Sequence, residues 1–236
     1  MSFNLVYYLV CISMKKKIIQ IILTKKFSKS IKNKNLLKIN NKPLIGWTID
    51  HCKKSKLISQ VWLSSDSQSI LNYGVKKKIN IIKRPLKFAN DKASSESAWI
   101  HAVKYLEEKK IKFDTIVAPQ ATSPIRGKSD LDNAIKVFIS KKYDSLFSCS
   151  VIKDFFVWKK IDKKLIPNYD YKNRKPRQLI DSLLRENGSF YVFDKNKFMN
   201  FKCRMFGNIG HFIQDSSKSF QLDEPDDLYI IKKLIK

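Results

Sequence analysis

Residues 18–23 read Ile18-Ile19-Gln20-Ile21-Ile22-Leu23, and Thr24-Lys25-Lys26-Phe27-Ser28-Lys29-Ser30 follows directly. An apolar run of this length is typical of a strand that is buried on both faces of a parallel sheet. The lysines and serines then come at the carboxyl end of that strand, which is where open α/β sheets bind their ligands. The stretch therefore predicts an α/β fold with a site beside its first strand.

Strand-like and helix-like segments alternate along the rest of the chain, which favours one layered α/β domain. The predicted strands are 60–64, 79–82, 115–118, 145–151, 190–193 and 209–214, and the predicted helices are 43–54, 94–108, 128–139 and 225–235. Pro43 suits a helix start, where its missing N–H needs no partner. The pattern is irregular between 152 and 187, so we interpret that segment as an arm on the domain.

The composition is that of a folded and strongly basic protein. The 236 residues are 43% hydrophobic and 12% aromatic, which is enough to bury a sizeable core, and the formal net charge is +26. Only six of the 47 basic residues are Arg. Nucleic-acid readers favour Arg, whose planar fork matches phosphate and guanine. We therefore interpret the charge as a solvated lysine surface and expect no nucleic-acid partner, although a nucleic-acid binder stays an alternative.

The first 13 residues are interpreted separately from the domain at 14–236. Residues 3–13 are apolar, with no basic residue before them and Lys15-Lys16-Lys17 after them. A secretory signal carries its positive charge first, and a membrane-spanning helix needs about 20 apolar residues. We interpret residues 1–13 as an extension or as a start-site artefact upstream of Met14. A weak membrane anchor is the alternative, and no membrane partner is expected.

Cysteine and histidine usage favours the cytoplasm. The four cysteines lie far apart without a C-x-x-C pair, and the three histidines lack metal-ligand spacing. Neither a disulfide framework nor a zinc site is therefore indicated, and a reducing compartment is expected.

The loop after the first predicted strand carries groups that suit a triphosphate. Lys25, Lys29 and Lys34 lie within ten residues, together with the hydroxyls of Ser28 and Ser30. Converging cations and donors stabilise the charge that grows as pyrophosphate departs. The sequence contains neither a G-x-G-x-x-G nor a Walker-type motif. A lysine-rich loop in a lysine-rich protein is more often a solvated surface, so the loop alone does not indicate phosphate binding.

Further motifs occur in a fixed order along the chain. They are Asn35-Leu36-Leu37; Asn41-Lys42-Pro43-Leu44-Ile45-Gly46-Trp47-Thr48-Ile49; Val61-Trp62-Leu63-Ser64-Ser65-Asp66; Arg84-Pro85; Asp91-Lys92-Ala93-Ser94-Ser95; Pro119-Gln120-Ala121-Thr122-Ser123-Pro124-Ile125-Arg126; Arg177-Gln178; Glu186-Asn187-Gly188-Ser189-Phe190-Tyr191; and Leu222-Asp223-Glu224-Pro225-Asp226-Asp227. This ordered set covers about residues 16–235. It resembles the bacterial acylneuraminate cytidylyltransferase (CMP-sialic acid synthetase) family.

The resemblance implies a fold and an activity. The fold is a Rossmann-like three-layer nucleotidyltransferase fold with a mostly parallel sheet, and it forms a homodimer through a dimerisation arm at 152–187. The activity is transfer of CMP from CTP to the anomeric hydroxyl of a nonulosonic acid (an N-acylneuraminate, or a legionaminate- or pseudaminate-like sugar). Pyrophosphate is released, Mg²⁺ assists, and the product serves cell-surface polysaccharide synthesis. A CMP-Kdo synthetase and a catalytically weakened CTP- or sugar-binding relic stay open as alternatives.

The resemblance also implies roles for individual residues. The catalytic set is Lys25, Lys29, Lys34 and Arg177; the nucleotide-binding set is Ser28, Asn35, Arg84, Ser95 and Gln120; the sugar-binding set is Gln120, Arg177, Gln178, Asn187 and Tyr191; the metal set is Asp223 and Gln221. Chemistry supports two of these roles. A fixed Arg binds a carboxylate with two hydrogen bonds, and Mg²⁺ takes one or two carboxylates plus phosphate oxygens. Asp223 ahead of Pro225 also suits an ordinary helix N-cap.

Five positions depart from the family pattern. Lys25 stands where the family has Arg, Lys26 and Phe27 where it has small residues, Ser30 where it has Gly, and Gln221 where it commonly has Asp or Glu. A lysine keeps the charge but loses the planar fork, and an amide neutralises no charge. We therefore expect slow activity, with loss of activity as its limit.

Overall fold

A seven-stranded sheet forms the middle layer of the domain in the computed structural model, which describes residues 16–28, 30–153 and 156–235, without the side chain of Arg177. The strands in chain order are β1 (Ile18–Leu23), β2 (Lys38–Ile39), β3 (Lys42–Pro43), β4 (Gln60–Ser65), β5 (Asn80–Lys83), β6 (Thr115–Pro119), β7 (Ser145–Ile152), β8 (Trp158–Ile161), β9 (Lys164–Pro167), β10 (Leu183–Asp194) and β11 (Ile209–Ile213). The helices are α1 (Leu44–Lys54), α2 (Gln68–Lys76), α3 (Ser95–Glu108), α4 (Asp130–Ser140), α5 (Lys195–Phe201) and α6 (Asp227–Leu234).

The sheet has the strand order β11-β7-β10-β6-β1-β4-β5. Strand β10 runs antiparallel to both of its neighbours, β6 and β7, and the other pairs are parallel. The carboxyl ends of β1, β4, β5 and β6 therefore meet at one edge. The predicted mostly parallel sheet is confirmed.

Helices cover both faces of the sheet. Side chains of β1 alternate, so that Ile18 and Ile22 pack with α1, α2 and α4, whereas Ile19 and Ile21 pack with α3 and α5. Since both faces of β1 are buried, an apolar residue is needed at almost every position of that strand. The predicted three-layer fold is confirmed.

The carboxyl-terminal segment is fastened to the domain by a third, smaller core. Leu222 and Ile231 are buried with Ile39 and Leu44, at the start of α1. The main chain adds a hydrogen bond from Leu222 N to Thr122 O at 2.8 Å. This packing holds residues 221–223 between the loop after β1 and the loop after β6.

Most element predictions are right, but the segment 152–187 is more regular than its sequence indicates. It contains the β8–β9 hairpin, the 3-10 helix Arg177–Leu179 and the first residues of β10. Strand β10 pairs with β7 as far as Leu183 and Ile152. Helices α2 and α5 were also not predicted. The proposal for residues 1–13 and the role given to Lys29 lie outside the described residues.

No helix in the described part of the chain is long and apolar enough to cross a membrane.

Candidate active site

A cleft lies at the carboxyl ends of β1 and β6, where the sequence places its candidate residues. Two adjoining cavities of about 170 and 210 Å³ form it, and they share Leu23, Thr24, Lys25 and Ser95. The first cavity is also lined by Phe27, Ser28, Lys34, Asn35, Trp99, Pro119, Gln120, Ala121 and Thr122. The second is also lined by Arg84, Phe88, Ala89, Asn90, Ala93, Ser94 and Ala98. The structure thus brings all the predicted nucleotide-binding residues to one cleft.

The amino terminus of α3 opens into both cavities. Ser94 caps the helix, with its Oγ accepting from Ser97 N at 3.1 Å, and Ser95 is the first helical residue. The free N–H groups and the dipole of a helix start attract anions such as phosphate. The Ser-Ser motif therefore supplies both the helix cap and a wall of the cleft.

The loop after β1 is fixed by its main chain, and several of its described side chains are accessible. Asp66 at the end of β4 accepts from Lys26 N at 2.8 Å, and Asn35 Nδ2 donates to Lys25 O at 3.1 Å. Lys25 Nζ lies 3.3 Å from Asp91 Oδ1, with 43% of the lysine side chain exposed. Phe27 is 70% exposed at the rim of the first cavity. Asn35 therefore orders the loop, while Lys25 stays accessible to a ligand.

Arg84 forms part of the cleft floor and is itself buried. Its guanidinium donates to the main-chain oxygens of Ser64 and Thr24, so it joins the ends of β4 and β1. Burial lowers the pKa of Arg84, and Asp66 opposes that shift. The Arg84 guanidinium is thus already hydrogen-bonded to the main chain, and the side chain also lines the second cavity.

Gln120 continues β6 into the cleft, and Arg126 holds it there. Gln120 N donates to Ser189 O at 2.9 Å. Arg126 donates to Thr48 Oγ1 at 3.1 Å and to Gln120 O and Ser189 O at 2.6 Å each. Burial lowers the pKa of Arg126 to about 10. Arg126 is the last residue of the motif that starts at Pro119, and the sequence alone assigns it no role. In the structure it fixes the loop after β6.

Lys34 and Asp223 form an ion pair at the back of the first cavity. The buried Lys34 Nζ donates to Leu222 O at 2.7 Å and to Asp223 Oδ1 at 3.1 Å. The Asp223 side chain is 61% exposed. Asp227, not Asp223, accepts the N–H groups of residues 223 and 224, at 2.8 and 2.7 Å. The alternative interpretation of Asp223 as the helix N-cap is wrong, because α6 begins at Asp227 and its N-cap residue is Asp226, whose side chain makes no capping hydrogen bond.

Gln221 lies beside the same cavity but is held by two partners. Its Nε2 donates to Asn187 O at 2.9 Å, and its Oε1 accepts from Thr122 Oγ1 at 3.3 Å. Gly188 has φ +61, and a Cβ there would lie 2.5 Å from Gln221 Nε2. Glycine is therefore favoured at position 188 by its left-handed conformation, and a larger residue there would displace the Gln221 amide.

The donors near Asp223 suit a metal that arrives with a nucleotide. In the described residues no group of three or more His, Cys, Asp or Glu side chains could hold a metal alone. One exposed carboxylate and one amide oxygen match the share that a protein supplies to Mg²⁺ when phosphates supply the rest. Asp223 and Gln221 thus fit a metal shared with a substrate.

The predicted sugar-binding residues are divided among three places. Tyr191 is buried on β10, and its hydroxyl donates to Glu186; burial and that carboxylate raise the pKa of Tyr191 to about 12. Asn187 is buried, and its amide is bonded to Ser148 Oγ at 2.7 Å and Gln214 Oε1 at 3.0 Å. Gln120 lines the first cavity, and of Tyr191 and Asn187 only Tyr191 adjoins the cleft, through its contact with Trp99.

Arg177 and Gln178 lie elsewhere, in the 3-10 helix of the arm. Neither residue, nor any other residue of 152–187, is among those lining the two cavities. The structure does not bring them to the cleft within one chain.

Three further residues, to which the sequence assigns no role, lie in or near the cleft: Glu96, Trp99 and Arg204. Arg204 Nε donates to Glu96 Oε1 at 2.6 Å. Its guanidinium carbon lies 4.9 Å from the ring centroids of both Trp99 and Tyr191. Trp99 has helical core spacing, and nothing in the sequence around Arg204 indicates a site. Only the fold joins them.

Comparison with known proteins identifies relatives of this chain. A family profile described as cytidylyltransferase matches residues 19–208. Post-translational flagellin modification protein B of Campylobacter coli is 30% identical over 214 residues, which cover 89% of this chain and 91% of that protein. N-acylneuraminate cytidylyltransferase A of Danio rerio is 31% identical over 74% of this chain and 41% of that protein. CMP-N,N'-diacetyllegionaminic acid synthase of Campylobacter jejuni is 26% identical over 88% and 90%.

A solved structure supports the fold alone. A CMP:2-keto-3-deoxy-manno-octonic acid synthetase complexed with CTP aligns with a TM-score of 0.71 at 15% identity. The alignment covers 93% of this chain and 98% of that one.

Proposed function

Because the chain belongs to the cytidylyltransferase family, we propose that it transfers CMP from CTP to the anomeric hydroxyl of an acidic nine-carbon 2-keto sugar. The observation that carries this proposal is the convergence of the loop after β1, the start of α3 and the end of β6 on one cleft. The relatives named for acylneuraminate and legionaminic acid support a nonulosonic acid as the acceptor.

The reaction needs charge stabilisation more than covalent chemistry. The anomeric oxygen forms a bond to the α-phosphorus of CTP, the bond from that phosphorus to the bridging oxygen breaks, and pyrophosphate leaves with its charge. The hydroxyl proton is released to solvent. Lys25 and Ser28, with the N–H groups at the start of α3, are placed to hold the phosphates in this geometry.

Asp223 and Gln221 are the residues that hold Mg²⁺ in this proposal. Bound Mg²⁺ neutralises charge on the departing pyrophosphate. Lys34 pairs with Asp223 at 3.1 Å. Lys34 lines the first cavity, so its ammonium would face phosphates bound there, while the Asp223 carboxylate would serve the metal.

The arm (residues 152–187) supports a homodimer in this proposal. The proposed enzyme acts in the cytoplasm. Large apolar side chains are exposed along it: Val157, Trp158, Ile161, Leu165, Ile166, Leu179, Leu183 and Leu184. Many exposed apolar side chains within one short segment are typical of a protein interface. Pairing through the arm would carry Arg177 and Gln178 to the cleft of the second copy, where Arg177 binds the sugar carboxylate.

Pyrophosphate release tests the proposed reaction. The full chain is incubated with each of the four ribonucleoside triphosphates, Mg²⁺ and a panel of nine-carbon 2-keto acids and Kdo. We expect release with CTP and a nine-carbon acid. Release with Kdo alone would establish the Kdo synthetase instead. CTP binding without release from any acid would establish the relic, and equal release from all four nucleotides would contradict the proposed preference for CTP.

A further inference from the structure

Lysines gather at the edge of the sheet that lies opposite the cleft. Helices α1 to α4 each lead back from the carboxyl end of one strand to the amino end of a later strand, so their carboxyl termini meet at that edge. Thirteen lysines and four carboxylates occur in the segments that form it, and all of these lysines are exposed except Lys77, which is half-buried and paired with Asp50. We call this surface the lysine edge, and its segments are 16–17, 53–59, 75–79, 107–114 and 139–144.

The helix ends and the local carboxylates offset only part of this charge. Lysines favour helix carboxyl termini, where the helix dipole places about half a negative charge, so four helix ends offset roughly two positive charges. Two of the four carboxylates, Glu107 and Asp144, are already paired with Lys195 and Lys197 of α5. The described residues of the lysine edge therefore keep a large positive excess.

This excess is too far from the cleft to attract a nucleotide into it. At roughly 3.3 Å per residue, the six residues of β1 place the two edges of the sheet about 20 Å apart. Interactions between exposed charges are largely screened beyond about 8 Å at physiological ionic strength. The lysine edge therefore indicates an anionic partner other than the nucleotide.

A cavity of about 340 Å³ lies in the middle of the lysine edge, next to the start of β1. Three lysines, two polar residues and two isoleucines line it: Lys17, Lys110, Lys112, Ser59, Gln60, Ile19 and Ile111. No carboxylate is among the described residues that line this cavity. Lysine binds phosphate as a point charge, so three ammonium groups around one opening suit a phosphate-bearing headgroup.

An apolar stretch of sequence joins the chain at the same place. Lys16 and Lys17 lead into β1, which lies between β6 and β4 in the sheet. Only Met14 and Lys15 separate them from the apolar residues 3–13. An anionic lipid bilayer offers charge at its surface and hydrocarbon beneath it, and so matches both features. A nucleic acid matches the lysines alone.

We propose that the lysine edge binds an anionic lipid surface, with the apolar residues 3–13 entering it. Stable attachment to a membrane takes two such signals, because a short apolar anchor or a basic patch alone binds only weakly. The bound protein keeps its cleft open to water, since the cleft lies at the opposite edge of the sheet. The sequence alone favours a solvated lysine surface without a membrane partner, and the grouping of the lysines at one edge changes that interpretation.

Two triple variants remove equal charge from opposite ends of the domain. The edge variant combines three substitutions at exposed lysines of the lysine edge: Lys54→Gln, Lys109→Gln and Lys112→Gln. The control variant combines three substitutions at exposed lysines beside the third core, at the start of α1: Lys38→Gln, Lys232→Gln and Lys233→Gln. All six side chains are exposed, so the unfolding midpoint in urea should match that of wild type in both variants.

The test is sedimentation of the full chain with vesicles of phosphatidylcholine, either alone or mixed with phosphatidylserine. We expect wild type to bind only the anionic vesicles and to be released by high salt, which screens the lysines. The edge variant should lower the partition coefficient at least tenfold, and the control variant less than threefold. Removal of residues 1–13 should lower it about tenfold.

Several outcomes would overturn the proposal. Wild type that fails to bind the anionic vesicles contradicts it directly. Equal losses in the two triple variants would show that net charge, and not the lysine edge, decides binding. Unchanged binding after removal of residues 1–13 would contradict their entry into the lipid. Tighter binding to a DNA duplex than to anionic vesicles, lost in the edge variant, would assign the lysine edge to nucleic acid.

This inference is independent of the proposed function. Sedimentation with vesicles requires neither CTP nor a sugar acid. Failure of the chain to release pyrophosphate would therefore contradict the proposed function alone, and failure to bind vesicles would contradict the role of the lysine edge alone.

Discussion

The two sides of the cleft are held in different ways. On the floor, Arg84 and Arg126 are buried, and their guanidinium groups donate mainly to main-chain oxygens. On the opposite side, Lys25 and Asp223 carry exposed charges on chain segments that other residues hold. The floor gives the cleft its shape, and the exposed side supplies charges that can move to a ligand. Substitutions on the floor should therefore reduce stability, and those opposite should reduce activity alone.

The largest expected effect is on the floor. Arg126→Met removes three hydrogen bonds from a charged donor, although Ser189 O and Gln120 O each keep a main-chain donor. Hydrogen bonds to a charged group contribute about 1.5–3 kcal/mol each, and removal of a buried charge returns part of that loss. We expect the free energy of unfolding to fall by about 3–5 kcal/mol, measured by urea denaturation. Arg185→Met, at an exposed position of β10, is the control. A loss below about 1 kcal/mol for Arg126→Met would contradict a positioning role.

Asp223→Asn is the corresponding change on the exposed side. The side chain is 61% exposed, so the free energy of unfolding should change by less than about 0.5 kcal/mol. Loss of the charge weakens the hold on Mg²⁺, and we expect kcat to fall about 100-fold at limiting Mg²⁺, which corresponds to about 2.7 kcal/mol. Asp226→Asn, three residues further along, is the control. Equal rates for Asp223→Asn and wild type would exclude the metal role.

The same contrast explains what could be predicted from sequence. Local patterns predict the elements that border the cleft. An apolar run buried on both faces predicts β1, and a Ser-Ser pair before an amphipathic stretch predicts the start of α3. The contacts that complete the cleft join residues far apart in the chain, such as Lys34 with Asp223 and Glu96 with Arg204. No local pattern indicates such pairs, so Arg204 was missed.

The structure differs from two sequence predictions, the sugar-binding role of Asn187 and the irregular arm at 152–187. Asn187 was grouped with the sugar-binding residues because it lies in a matching motif, yet its amide is fully engaged with Ser148 and Gln214. The motif therefore contains residues that hold the strand as well as Tyr191, which adjoins the cleft. The segment 152–187 has an irregular sequence pattern because its strands β8 and β9 are exposed at every residue except the half-buried Pro167, so they lack the apolar–polar alternation that burial would impose.

Gln221 lies between the two classes, since it bonds to Thr122, which lines the first cavity, and also to the main chain of Asn187. Gln221→Glu adds a carboxylate of the same length but removes the donor to Asn187 O. We expect the Mg²⁺ concentration for half-maximal rate to fall about fivefold while the free energy of unfolding falls by about 1 kcal/mol. Gln214→Glu, whose side chain is buried away from the cavities, is the control for stability without metal. An unchanged Mg²⁺ requirement would assign Gln221 to structure alone.

The smallest expected effect is at Lys25, where the loop keeps a charge but lacks a planar fork. Its ammonium is exposed and already has Asp91 at 3.3 Å, so a single point charge faces the phosphates. An arginine can bond two phosphate oxygens at once, because its N–H groups lie in one plane. Lys25→Arg should therefore raise kcat/KM for CTP about threefold with no change in the unfolding midpoint, because the loop is held by its main chain. Lys26→Arg adds the same group one residue away, where the side chain lies over Phe27 and does not line the cleft. If both variants raise kcat/KM equally, the gain comes from general attraction of the nucleotide. If only Lys25→Arg does, the phosphates lie against residue 25, and the exposed side of the cleft is where charge acts directly on the reaction.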